Sequence, residues 1–187
     1  MKNVTTDEVK ACDYSRHGDI NEYIGSLKGD KYEIYRENWL QASRCEREFN
    51  FPLFLVFETM FQCNFKCVMC IHSAQEKIKY GYKERLPFNK YKEIMDECLQ
   101  YYCPSLTIGG TSEPLLDVNL ADMIGYANES GFVDTMINTN ATLLTEERGK
   151  ELIKNGLTRI RIGFDGATAK TLAKSIKITP PGNSVFR

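Results

Sequence analysis

Apolar runs of strand length alternate along this chain with segments of helical period, and that alternation limits the fold more than any other feature. Leu53-Phe-Leu-Val-Phe57 is a continuous apolar run, the pattern of a strand buried on both faces of a parallel sheet. Phe88, Tyr91, Ile94, Met95, Cys98, Leu99 and Tyr102 then fall on one face of a helix. Leu106 to Ile108 is a short strand running into Gly109-Gly110, and a loop, Thr111 to Asp117, follows it. The next helix has Asn119 as its N-cap, a buried stripe of Leu120, Met123, Ile124 and Ala127, and Gly131 at its end. Phe132 to Asn138 is a third strand. Thr145 caps a helix with Glu146 and Glu147 in its first turn and Lys154 in its last, as the helix dipole favours. Arg159 to Phe164 reads as a fourth strand and Thr168 to Ile176 as a fourth helix. Four strand–helix units in series predict an α/β fold with right-handed crossovers and a parallel sheet. Ligands of such sheets bind at the carboxyl ends of the strands.

The first 50 residues are polar and charged. Tyr32 to Arg47 is expected to form a helix with Tyr35, Trp39 and Leu40 as a thin apolar stripe, so residues 1–50 read as a partly helical N-terminal extension. Residues 51–176 then form the core and 177–187 a tail, where Pro180-Pro181-Gly182 is turn chemistry. Met1 to Asp13 has no apolar h-region, so no signal peptide is expected, and no run reaches the length of a membrane span. A net charge of −1 gives no footprint for nucleic acid as a bulk electrostatic partner. These readings predict a cytoplasmic protein without a membrane partner.

Cys63-Asn-Phe-Lys-Cys67-Val-Met-Cys70 follows the first strand directly. Three thiolates at spacings of four and three can wrap one cubane iron–sulfur cluster and leave its fourth iron open. Two other readings stand beside it: a structural zinc site completed by His72, and inert core thiols. The chain has seven cysteines, and a reducing compartment favours metal or catalytic roles over disulfides. Cys98, on the apolar face of its helix, reads as core; Cys12, Cys45 and Cys103 are scattered. Glu58 and Thr59 stand where they can orient the cysteine loop. Lys77, Lys79, Lys83 and Arg85 make the following stretch mildly basic: a solvated loop, or a surface for an acidic substrate or a reductant.

The cysteine signature, Gly110-Thr-Ser-Glu113-Pro114, Thr139-Asn140 and Asp165-Gly166 each lie at the carboxyl end of one predicted strand. In this combination the chain resembles the radical S-adenosylmethionine (SAM) superfamily over residues 51 to 176. It looks most like the branch that often carries a SPASM-type auxiliary-cluster domain. The resemblance implies a partial TIM-like barrel. It implies a [4Fe-4S] cluster on Cys63, Cys67 and Cys70, with SAM on the fourth iron. Reductive cleavage of SAM would then give a 5′-deoxyadenosyl radical that abstracts hydrogen from a substrate, a peptide or another small molecule. The electron donor would be of the flavodoxin or ferredoxin kind.

By the same resemblance, Met69 occupies the place of a bulky residue against the adenine. Gly110, Glu113 and Pro114 match the GxGEP form of the motif that meets the SAM amino group, with Ser112 in place of its second glycine. Asn138, Thr139 and Asn140 stand at the same mouth, and Ala141 is where the family often has glycine. Asp165 matches a Ser-x-Asp-Gly word whose serine is here Gly163; capping the next helix is its alternative role. The family barrel has about six βα units and this chain supplies four, so the expectation is a C-terminally incomplete core. An inactive iron–sulfur fragment and a non-catalytic zinc module are the alternative readings.

Overall fold

Strand order decides the architecture. The computed structural model describes residues 19–71 and 85–178. The chain divides into two compact units, Met1–Glu48 and Phe49–Arg187.

In the first unit, α1 (Ile20–Lys28) and α2 (Asp30–Ser43) meet at Gly29, whose φ of 68° is the left-handed geometry glycine tolerates. Asp19 caps α1 by accepting from the Asn21 amide at 2.7 Å. The Tyr32 hydroxyl donates to Asn21 Oδ1 at 3.0 Å and ties the helices together. The predicted helix therefore exists but is shifted. It starts before Tyr32, ends at Ser43, and buries Tyr32 and Tyr35 while Leu40 is exposed. Helix α1 was not anticipated, because nine residues with a central Gly25 give too short a periodic signal.

In the second unit, β1 (Phe54–Phe57), β3 (Ser105–Ile108), β4 (Asp134–Thr139) and β5 (Arg159–Ile162) form a wholly parallel sheet in the order β1-β3-β4-β5. Each strand adds beside its predecessor with no reversal, which is the progression of a barrel rather than of a doubly wound sheet. Helices α3 (Phe88–Gln100), α4 (Leu120–Ser130), α5 (Glu146–Lys154) and α6 (Ala169–Ser175) follow these strands in turn. The fold is thus a partial α/β barrel of four βα units among the described residues.

The core lies on one sheet face. Leu106, Ile108 and Ile137 meet Tyr91, Met95 and Cys98 of α3, Leu120, Met123, Ile124 and Ala127 of α4, and Leu152 of α5, all nearly inaccessible. The Tyr91 hydroxyl donates to the Met123 carbonyl at 2.9 Å and locks α3 to α4. Cys98 and Cys103 are buried as plain core, with the Cys103 thiol pushed up to about 12 by burial; Cys45 is exposed, and Cys12 lies outside the described residues.

Four local expectations need correction. β1 is not buried on both faces: it is an edge strand among the described residues, and Phe54 and Val56 on the face away from the helices are exposed. Gly131 does end α4 with φ 118°, but the Asn119 side chain does not cap it; Asp117 instead accepts from the Asn119 amide at 3.0 Å. β5 stops at Ile162. The last helix stops at Ser175, and Ile176–Ile178 forms β6, antiparallel to a short strand β2 (Phe65–Cys67). Among the described residues no helix is long and apolar enough to cross a membrane.

Candidate cofactor-binding site

Three segments leave the carboxyl ends of β1, β3 and β4 and interlock there. The first carries the cysteines. Cys63 precedes β2 and Cys67 ends it, opposite Ile176 of β6, while the Cys70 amide donates to the Cys67 carbonyl at 3.1 Å and closes a tight turn. All three thiols are free and partly buried. Burial pushes the Cys63 thiol up; the Phe65 amide offsets part of this, and the charges of Glu113, Cys67 and Cys70 raise it further. Burial also raises Cys67, followed by the charges of Cys70 and Asp165. The sulfurs therefore share one neighbourhood, where ionising Cys63 and Cys67 is opposed unless positive charge arrives.

Among the described residues no three His, Cys, Asp or Glu groups converge on a point as the ligands of a single ion would. Three free, partly buried thiols in one loop suit an iron–sulfur cluster, which is held by cysteine thiolates. His72, the extra zinc ligand considered above, lies outside the described residues, as do Lys77, Lys79 and Lys83. Arg85, read as part of a basic stretch, donates to the Leu116 carbonyl at 3.1 Å and so braces the second segment.

That second segment follows β3. Gly109 has φ 83°, and a Cβ there would lie 3.0 Å from the Pro114 ring and 3.1 Å from the Asn138 carbonyl oxygen. Glu58, at the end of β1, gathers the loop: one carboxylate oxygen accepts from the Gly110 amide at 2.8 Å, the Thr111 amide at 2.5 Å and the Thr111 hydroxyl at 3.1 Å. Its other oxygen accepts from the Ser112 hydroxyl. Ser112, the departure from the family's glycine, is thus a donor to Glu58. A Cβ on Gly110 would stand 3.0 Å from that carboxylate.

Glu113 is the hub. Its side chain is 1% exposed. Oε1 accepts from the Leu115 amide at 3.0 Å and the Thr139 hydroxyl at 2.6 Å, and Oε2 accepts from the Asn140 amide at 2.8 Å. Its own amide donates to the Gln62 carbonyl at 2.8 Å, next to Cys63. One residue thereby joins all three segments, with Pro114 opening the 3₁₀ turn Pro114–Leu116 behind it.

In the third segment, Asn138 Nδ2 donates to the Gly109 carbonyl at 2.8 Å, while its Oδ1 is buried with no partner. That orphaned acceptor, beside a glycine-lined loop, fits a ligand bearing an N–H or O–H group. Thr139 is spent on Glu113. Asn140 reaches the cysteine loop, donating to Asn64 Oδ1 at 2.8 Å, and Asn64 donates to the Thr142 hydroxyl at 2.8 Å. Asn64 and Thr142 were not singled out from the sequence; only the adjacency of Asn64 to Cys63 marks it. Met69 is 60% exposed at the tip of the cysteine loop. Asp165 is exposed, near enough to Cys67 to raise its pKa, and does not cap α6: Thr168 does, accepting from the Thr171 amide at 3.1 Å.

Ala141 holds φ 59°, a conformation costing a non-glycine residue about 1–2 kcal/mol. Ala141→Gly relieves this against the backbone entropy that glycine loses on folding, roughly 0.5–1 kcal/mol. The expected outcome is a net gain of about 0.5–1 kcal/mol, read as a thermal midpoint higher by roughly 2–4 °C. A lower midpoint would show that Ala141 is unstrained.

Comparison with known proteins bears on the family and the fold. The family model described as the radical SAM superfamily matches residues 57–183, past the Ile176 limit of the sequence resemblance. Among curated proteins, the AdoMet-dependent heme synthase of Methanosarcina barkeri is 30% identical over 122 residues, 65% of this chain and 34% of that protein. The mycofactocin maturase MftC of Mycobacterium tuberculosis is 28% identical over 67% of this chain and 30% of its own length. The PqqA peptide cyclase of Bradyrhizobium diazoefficiens is 28% identical over 68% of this chain and 32% of its own. The chain spans about a third of the length of these relatives. The crystal structure of BtrN in complex with AdoMet and 2-DOIA shares the fold, with a TM-score of 0.56 at 24% identity, covering 66% of this chain and 50% of that one.

Proposed function

Since the chain belongs to the radical SAM superfamily, we propose that residues 51–176 are the core of an enzyme that cleaves SAM reductively to start a radical reaction. The family's cofactors are a [4Fe-4S] cluster and SAM. Cys63, Cys67 and Cys70 hold three irons of the cluster. Gly110, Glu113, Pro114, Asn138, Thr139, Asn140, Asp165 and Met69 surround the SAM site, some by contact and some by holding its loops. Held by Cys63, Cys67 and Cys70, the cluster would supply the one-electron reduction of SAM that starts the family's radical hydrogen abstraction. The protein's own part is mechanical and electrostatic. Glu58 fixes the Gly110–Thr111 backbone and the Ser112 hydroxyl, Glu113 keeps three segments in register, and the partly buried thiols offer the cluster its ligands.

The observation that supports this best is the Glu113 hub, which joins the cysteine loop to the two loops matching the family's SAM motifs. The relatives named for a peptide cyclase and a maturase favour a peptide substrate over another small molecule. The electron donor is a flavodoxin or ferredoxin, and the enzyme works in the cytoplasm, where low-potential reductants and reduced thiols coexist.

After anaerobic reconstitution the protein is expected to be brown and to carry four irons and four sulfides per chain, as a [4Fe-4S] cluster requires. With dithionite and SAM it is expected to release 5′-deoxyadenosine above the level of a Cys67→Ala control. Uptake of one zinc and no iron would overturn the reading in favour of a metal-binding module. A cluster without 5′-deoxyadenosine would reduce it to an inactive iron–sulfur protein.

A further inference from the structure

Asn140 does more than occupy a strand end. Its Oδ1 accepts from the Thr142 amide at 3.0 Å and from the Thr142 hydroxyl at 2.6 Å. A backbone amide can only donate, so the oxygen end of the Asn140 side chain is fixed toward Thr142. The NH₂ end must then face the cysteine loop, where Nδ2 lies 2.8 Å from Asn64 Oδ1 and 3.9 Å from Cys63 Sγ. Asn64 is fixed in its turn: its own Nδ2 donates to the Thr142 hydroxyl, whose proton goes to Asn140. The three side chains form a closed ring of one polarity, and no amide in it can flip without breaking two bonds. Cys63 Sγ also accepts from the Phe65 amide at 3.4 Å. Two N–H groups are therefore aimed at this sulfur.

We propose that Asn140 sets the reduction potential of the cluster by donating an N–H···S hydrogen bond to the Cys63 thiolate. The inference rests on the proposed cluster at Cys63, Cys67 and Cys70. Reduction adds negative charge that spreads onto the cysteine sulfurs, and an N–H donor stabilises the reduced form more than the oxidised one. The bond raises the potential and eases the entry of the electron that SAM cleavage consumes. The bland rival is that the ring merely ties two loops together.

An EPR-monitored redox titration of the reconstituted full chain separates the two. Asn140→Leu removes the donor. Asn140→Asp keeps the shape and the acceptor toward Thr142 but replaces the donor with a negative charge. Thr142→Val breaks the ring at its hydroxyl yet leaves the Thr142 amide to hold the Asn140 side chain in place. The expected midpoint potentials are close to wild type for Thr142→Val, lower for Asn140→Leu and lowest for Asn140→Asp, at equal iron and sulfide content. An Asn140→Leu potential equal to wild type, or a Thr142→Val shift as large as that of Asn140→Leu, overturns the proposal and leaves a structural tie. If Asn140→Leu fails to hold a cluster, the ordering of Asn140→Asp against Thr142→Val decides. A wild-type chain that assembles no iron–sulfur cluster overturns the cluster itself and this inference with it.

Discussion

Glu113→Ala is expected to destabilise the second unit by about 3–5 kcal/mol, even with no cofactor bound. The carboxylate is buried and accepts from two backbone amides and one hydroxyl on three sides. Alanine leaves the Leu115 amide, the Asn140 amide and the Thr139 hydroxyl without their acceptor, the first and last of them buried. Each such group costs about 1–3 kcal/mol, partly recovered because burying the carboxylate itself is unfavourable. Glu113→Gln is the milder partner. Its oxygen can serve Leu115 and Thr139, but its NH₂ then faces the Asn140 amide, donor against donor, so about half the loss should persist. Urea titration of the reduced apo-protein followed by circular dichroism gives both values. A loss under about 1 kcal/mol for Glu113→Ala would mean that the loops hold together without the hub.

Two adjacent glycines should respond very differently to alanine. At Gly109 the φ of 83° alone costs about 1–2 kcal/mol for alanine. The added methyl also meets the Pro114 ring at 3.0 Å and a backbone carbonyl at 3.1 Å, neither of which can swing aside. Overpacking of this kind costs about 1–3 kcal/mol more. Gly109→Ala is therefore expected to lose about 2–5 kcal/mol. At Gly110 the nearest atom is the end of the flexible Glu58 side chain at 3.0 Å, followed by Val56 Cγ1 at 3.4 Å. Gly110→Ala should cost about 1 kcal/mol or less, through a looser Glu58 clamp. Thermal melts of the two variants side by side test the order, and equal midpoints would refute it.

The parallel sheet and the positions of its helices were legible because their signals are local: apolar runs of strand length and apolar faces of helical period. Gly131 and Thr145 showed the helix ends for the same reason, since a left-handed cap and a side-chain cap need only neighbouring residues. What was hidden depends on partners remote in sequence. Phe54-Leu-Val-Phe57 carries the composition of a central strand but occupies an edge, and its neighbours, not its residues, decide that. Ser112 looked like a defect in a motif until Glu58, from another strand, supplied its acceptor. Asp165 and Thr168 both have oxygens that can cap a helix, and three residues of spacing to the Thr171 amide select Thr168. Thr139 and Glu113 were read as groups facing a ligand; the Thr139 hydroxyl donates to Glu113, which also holds the Leu115 and Asn140 amides, a pairing that no spacing rule contains.

The short ribbon of β2 and β6 has a consequence for the order of assembly. Cys67 sits opposite Ile176, and the Val68 amide donates to the Ser175 carbonyl at 3.0 Å, so the cysteine loop is completed by backbone from the far end of the described chain. This is the widest sequence separation of any strand pairing described. Closing so long a loop carries the largest entropic cost, and the contact forms after the nearer βα units have docked. While the chain is being made, Cys63, Cys67 and Cys70 emerge early and wait for their frame until α6 has followed. Metal delivery is thus a step that follows the emergence of α6 and β6, and any factor holding these thiols reduced must act during that interval.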